Sequence, residues 1–313
     1  MNPAVIFRLP LIALALFLAS CSYMPTGGQT EEQTETSKVF QSKEKNIAEL
    51  GDKENADLSA SLFPQPTNAE SLWALELPKE ATLIERALND FTWPDYGDHE
   101  EVSYWANRYL KDRDQFDAIL ERAEPFLFHI LDQIEQAGLP SELAFLPFVE
   151  SGFRPEVASW KGAAGLWQFM PATGRYLNLD QDWWVDERRS VDNSTDAAIR
   201  YLSYLYNYFD KDWFMALAAY NTGEGNLRKV MRASPENADY WDLKLNTETA
   251  TYVPKLLAVI QILKEADSLE VDLPNWPNQP YFETYQSDHQ LDLEVVADHL
   301  EIDKQQIFSI NAH

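Results

Sequence analysis

The 313-residue chain is long enough for one or two domains with a sizeable core. Its formal charge of −26 excludes a nucleic-acid partner, because binding a polyanion needs a basic footprint. The acidity is not confined to a tail, since residues 71–313 still carry 42 acidic against 20 basic side chains, and 10 Trp, 14 Tyr and 16 Phe offer surfaces for stacking on flat ligands.

In chain order, residues 1–20 read as an export signal: Arg8, then an apolar run from Leu9 to Ala19 that is too short to span a bilayer as a helix. The run ends at Leu18-Ala19-Ser20-Cys21, and Cys21 is the sole cysteine. A lone cysteine directly after such a run resembles the bacterial lipobox, whose thiol is lipidated and becomes the first mature residue. Ser22 rather than Asp in the next position implies, by the same resemblance, an outer-membrane lipoprotein facing the periplasm. A single cysteine also means no intrachain disulfide, so the fold must stand on its core. Residues 21–70 are polar and acidic with little apolar periodicity, which predicts a disordered tether. The 49 residues from Ser22 to Glu70 would span roughly 35–42 Å as a coil.

Helical periodicity takes over beyond Trp73. Arg122 to Ala137 places Phe126, Ile130, Ile134 and Ala137 on one face, and Gly138 supplies a stop. Ser141 is expected to cap a second helix, SELAFLPFVE, bent by Pro147 and closed at Gly152. Further helices are predicted over Asp192–Phe209, Trp213–Tyr220 and Thr247–Ala266. Convincing alternating strands are scarce, so the expected class is all-α. After a Pro-rich stretch from Leu273 to Pro280, residues 291–313 suit two short helices joined by a turn.

Four local patterns bear on chemistry: Glu150-Ser151-Gly152-Phe153; Gly162 to Pro171 (GAAGLWQFMP); Ala218 to Gly225 (AAYNTGEG); and Thr251 to Lys255 (TYVPK). Glu150 ends an apolar helix and is followed by Phe153, which favours desolvation and a raised carboxyl pKa, as a general acid requires. Taken singly, each has a plain structural reading: a solvated helix-end Glu, a glycine turn, an Asn-Gly C-cap. The five histidines show no paired ligand spacing, no phosphate-binding glycine loop is present, and neither metal nor cofactor is expected.

Together, their order and spacing resemble the lytic transglycosylases with a goose-type lysozyme fold, specifically the membrane-bound lytic murein transglycosylase D group. The stretches RAEPFLFHI, GLPSELAFLPFVESGFRP, AAGLWQFMPATGRYL, DWWVDERRSVDNSTDAAIRYL, DWFMALAAYNTGEGN and TYVPKLLAV carry the resemblance. It implies a lysozyme-like catalytic domain over 71–272, followed at 273–313 by a linker and a partial or degenerate LysM-like segment. It further implies a peptidoglycan substrate, cleavage of the MurNAc–GlcNAc β-1,4 bond with 1,6-anhydro ends, Glu150 as acid and then base, and Ser151, Gln168, Tyr220, Asn221 and Tyr252 at the glycan. Ala250 and Ser190 depart from the group's usual arginine and aspartate. Glu156, Asp186 and Glu224 are the candidates for a second carboxylate, which would favour a hydrolase on the same fold. A non-catalytic glycan-binding lipoprotein is the remaining alternative.

Overall fold

The computed structural model describes residues 4–7, 82–286 and 291–313, and the class is all-α as expected, with one two-stranded ladder. The tether and Cys21 lie outside the described residues, as does the expected signal segment apart from residues 4–7. No described helix is long and apolar enough to cross a membrane.

Thr82 opens α1 (Leu83–Asn89) with a capping box, its hydroxyl accepting from Glu85 N while the Glu85 carboxylate accepts from Thr82 N. Then follow α2 (Glu100–Lys111), α3 (Arg113–Glu121) and α4 (Glu124–Gln136), the last ended by Gly138 at φ 66°. The predicted bent helix over 141–150 is instead two pieces, a 3-10 turn Ser141–Phe145 and a short α5 (Leu146–Glu150). Pro147 has no N–H to give the Leu143 carbonyl, so the chain tightens before it and restarts as α-helix with proline in the first turn. Ser141 is correspondingly not a cap: it is buried, and its hydroxyl donates to the Ala87 carbonyl at 3.1 Å.

After α6 (Pro171–Tyr176) comes α7 (Val191–Tyr208), whose N-cap is Ser190, accepting from Asn193 N at 3.3 Å. Ser and Asp cap equally well, so the departure at 190 costs the fold nothing. Asp212 caps α8 (Trp213–Thr222), and Gly223 at φ 86° links it to α9 (Glu224–Arg232). The helix predicted over 247–266 is broken after one turn into α10 (Thr247–Ala250) and α11 (Tyr252–Lys264). Ten of the thirteen α11 residues are buried, against α2, α5 and α8, which makes it the central post of the core.

The C-terminal segment begins with β2 (Glu283–Gln286), continues through the expected helix pair α12 (Leu293–Leu300) and α13 (Lys304–Ile310), and turns between them at Glu301, φ 56°. β2 pairs antiparallel with β1 (Ala4–Phe7), Ala4 opposite Gln286 and Phe7 opposite Glu283; β1 falls within the expected signal segment. Phe282 seats the segment on the domain by stacking on His129 at 4.0 Å and 17°.

The loop between α5 and α6 is held by close backbone contact. Gly165 lies at φ 84° against the Arg188 carbonyl, and a Cβ there would come within 1.7 Å of that oxygen. Gly165→Ala is therefore expected to lose more than about 3 kcal/mol of stability in urea unfolding, since neither the φ nor the space admits a side chain. Near-wild-type stability would refute this account of the loop.

Candidate active site

Glu150 is the last residue of α5, and Tyr252 the first of α11. The packing of these two helices brings the pair together across 102 residues of sequence: the Tyr252 hydroxyl donates to Glu150 Oε1. Glu150 is half-buried in the wall of a cleft of about 680 Å³. Burial raises its pKa to about 7; the Tyr252 hydrogen bond opposes the rise by favouring the carboxylate, and the negative charge of Glu248 adds to it. Because Oε1 accepts from Tyr252, the proton of the neutral acid resides on Oε2. Tyr252 and Tyr220 are themselves pushed well above the ordinary tyrosine range, chiefly by burial and then by Glu150, so both remain phenols at any working pH.

The cleft floor comes from the 157–169 loop. Ala164 bridges to both Ala158 and Phe169, and Arg188 donates to the Gly162 and Phe169 carbonyls at 2.7 and 2.9 Å while the Asp186 carboxylate grips its other face. Trp167 is fully buried with its indole N–H on Thr195 Oγ1 at 3.0 Å, and its carbonyl accepts from the Tyr220 hydroxyl at 2.8 Å. So anchored, the loop holds Gln168 in the left-handed region at φ 50°, lining the cleft. Gln168 Nε2 donates to the Gly165 carbonyl at 2.8 Å, which leaves Oε1 to meet a ligand. Asn221 also lines the cleft; its Oδ1 accepts from Thr249 Oγ1 at 2.8 Å, leaving the amide N–H groups as donors.

Four of the expected substrate contacts thus gather with Glu150 in one cleft: Gln168, Tyr220, Asn221 and Tyr252. Ser151 does not. It is 5% exposed, lies behind the wall, and its hydroxyl donates to the Leu166 carbonyl at 2.9 Å. It ties the end of α5 to the loop rather than facing a ligand.

None of the three anticipated second carboxylates lines the cleft. Asp186 is engaged by Arg188, Glu224 accepts from the Tyr201 hydroxyl at 3.1 Å, and Glu156 is exposed elsewhere. The second carboxylate in the cleft is Glu248, unanticipated from sequence, 71% exposed at the lip and 3.7 Å from Lys161 Nζ. Its position four residues before Tyr252 was the available signal. Trp160, 91% exposed at the mouth, was also missed. A further buried acid, Glu142, plays a different part: its Oε1 accepts from the Thr92 and Trp93 N–H groups, both at 2.6 Å, pinning the chain that follows α1 to the 3-10 turn. Among the described residues no group of three or more His, Cys, Asp or Glu is placed to hold a metal.

Residues 132–242 match the family model of the transglycosylase SLT domain. The chain is 39% identical over 180 residues to the membrane-bound lytic murein transglycosylase D of Escherichia coli K12, covering 56% of this chain and 40% of that protein. It is 45% identical over 112 residues to a putative tributyltin chloride resistance protein of an Alteromonas species, covering 36% of this chain and 53% of that one. The peptidoglycan transglycosylase gp16 of phage T7 matches at 33% over 113 residues, 36% of this chain and 8% of that one. The matches thus span about half or less of each relative's length. Glu150, Gln168 and Tyr220 fall inside the stretch that matches the SLT model, whereas Tyr252 lies beyond its matched end.

The raised pKa of Glu150 makes a stability prediction. The native state holds this proton more tightly than the unfolded chain, so the stabilisation is complete below about pH 4.5 and is lost as pH climbs through about 7. Glu150→Gln keeps the acceptor for Tyr252 and carries no charge. At pH 8 it should be more stable than wild type by about 1–3 kcal/mol, with the gap closing by pH 5, as read by thermal unfolding at both values. An equal gap at both would contradict a desolvated acid.

Proposed function

We propose that the SLT domain is a peptidoglycan lytic transglycosylase that cleaves the MurNAc–GlcNAc β-1,4 bond and leaves 1,6-anhydroMurNAc ends. The observation that carries this reading is the solitary desolvated carboxyl of the cleft, Glu150, which lines the cleft with one oxygen held by Tyr252. Most glycosidases use two carboxylates flanking the bond. Here Glu248 is solvated and ion-paired, so Glu150 must serve twice.

In the first half, Glu150 Oε2 gives its proton to the glycosidic oxygen and the bond from that oxygen to C1 breaks. The N-acetyl carbonyl of the same muramoyl residue stabilises the charge developing at C1. Glu150 is now a carboxylate in a poorly hydrated site, and the Tyr252 hydrogen bond is what makes that state tolerable. In the second half the carboxylate takes the proton of the C6 hydroxyl as O6 closes on C1, which restores the neutral acid and consumes no water. A hydroxyl on the substrate itself outcompetes water because its effective concentration is high in a closed geometry. Gln168, Tyr220 and Asn221 would hold the sugars, with Tyr252 poised on the acid. Neither metal nor cofactor takes part in these steps.

Anchorage by lipid at Cys21, removal of residues 1–20 and placement on the outer membrane facing the periplasm belong to the same proposal, supported by the sequence around Cys21. Glu248 is the one observation that favours a muramidase, since it is a carboxylate in the same cleft.

Digestion of purified sacculi decides between them. Wild type should release fragments lighter by one water than muramidase products, with kcat/KM falling above about pH 7 as the acid ionises. Glu150→Gln should turn over roughly 10²–10⁴-fold more slowly. Reducing muramic ends, abolished by Glu248→Gln, would establish the hydrolase instead.

A further inference from the structure

The cleft does not stop at its own wall. Tyr201 lines it, and from Tyr201 a stripe of tyrosines runs along one face of α7 at positions 201, 204 and 208. The Tyr201 and Tyr204 rings lie 6.3 Å apart and nearly parallel at 13°, and Tyr204 and Tyr208 are 5.6 Å apart at 34°. Tyr204 is 44% and Tyr208 36% exposed, so two aromatic rings face water on a helix whose other face is core. From 201 to 208 the helix advances about 10 Å.

The stripe ends in a second hollow of about 460 Å³, where Tyr208 meets Arg228 and Arg232 of α9. These arginines are four residues apart, on one helix face. Arg228 lies over the Tyr208 ring, 5.5 Å from its centroid, and donates to its hydroxyl. Among the described residues neither guanidinium forms an ion pair with a carboxylate. Asp210 is the one carboxylate among the described residues that line the same hollow. The two arginines therefore leave it net positive in a globular part with twice as many acids as bases, and well placed to receive an anion from outside.

Resting on the glycan reading of the cleft, we propose that this face is an extension of the substrate site that reads the peptide substituents of the strand: sugar rings lie over Tyr204 and Tyr208, and carboxylates of the acidic peptide are received by Arg228 and Arg232. The occupant follows from continuity with the cleft, since a polymer leaving it past Tyr201 crosses the rings before it reaches the cations. The apolar faces of sugar rings suit the tyrosines, and the planar guanidinium fork suits carboxylates. A nucleic acid also combines rings with anions, but the chain's overall charge opposes it.

The test uses full-length Glu150→Gln protein, which binds without cutting, and two soluble ligands: glycan strands bearing their peptides, and the same strands stripped by an amidase. Calorimetry at low salt should show the peptide-bearing strand bound about tenfold more tightly, the preference shrinking as salt is raised. Adding Arg228→Ala and Arg232→Ala should abolish the preference, whereas adding Lys229→Ala, on the same helix, should retain it. Equal affinity for the two strands, or a preference that survives in the double arginine variant, overturns the proposal. Binding of neither strand overturns the glycan reading along with it.

Discussion

The contact on which the site depends is the hydrogen bond from Tyr252 to Glu150. It joins the end of α5 to the start of α11, so the most buried helix of the domain fixes the position of the acid. The two influences on Glu150 pull in opposite directions: burial resists the charge, and the phenol welcomes it. The proposed mechanism, in which the acid is neutral at one moment and anionic at the next, requires both. A fully apolar pocket would never release the proton, and a fully solvated one would never retain it.

Glu142 shows the other fate of a buried carboxyl. Burial raises its pKa too, yet one oxygen receives two backbone N–H groups and the other is closed off from solvent. The two acids stand eight residues apart in one stretch of chain, both desolvated. Only access to the cleft separates a structural clamp from a reactive group, so perturbation alone does not identify a catalytic residue.

Much of the helical framework was legible because its signals are local. Asp212 precedes Trp213, Gly138 follows the last apolar turn of α4, and Ser190 keeps the capping role when aspartate is replaced. The patterns around Glu150, Gln168, Tyr220 and Tyr252 likewise pointed to residues that do converge. What was misread depended on partners distant in sequence. Ser151 looked like a cleft residue because it adjoins Glu150, but its hydroxyl answers to Leu166, and Ser141 looked like a cap but answers to Ala87. The break between α10 and α11 was hidden by the apolar run that follows it, and Glu248 was overlooked because the loop that forms its side of the mouth lies near residue 161.

The 157–169 loop carries a glutamine in a left-handed conformation, a glycine pressed against a carbonyl, and main-chain oxygens bonded to Ser151, Arg188 and Tyr220. A segment so constrained has surrendered its conformational entropy by the time the chain is folded. An arriving ligand therefore meets a receptor that is already ordered, and little of the binding energy is diverted to arranging it. On the proposed glycan reading, that remainder is free to distort a sugar ring toward its transition state, which is where an enzyme gains rate rather than mere affinity.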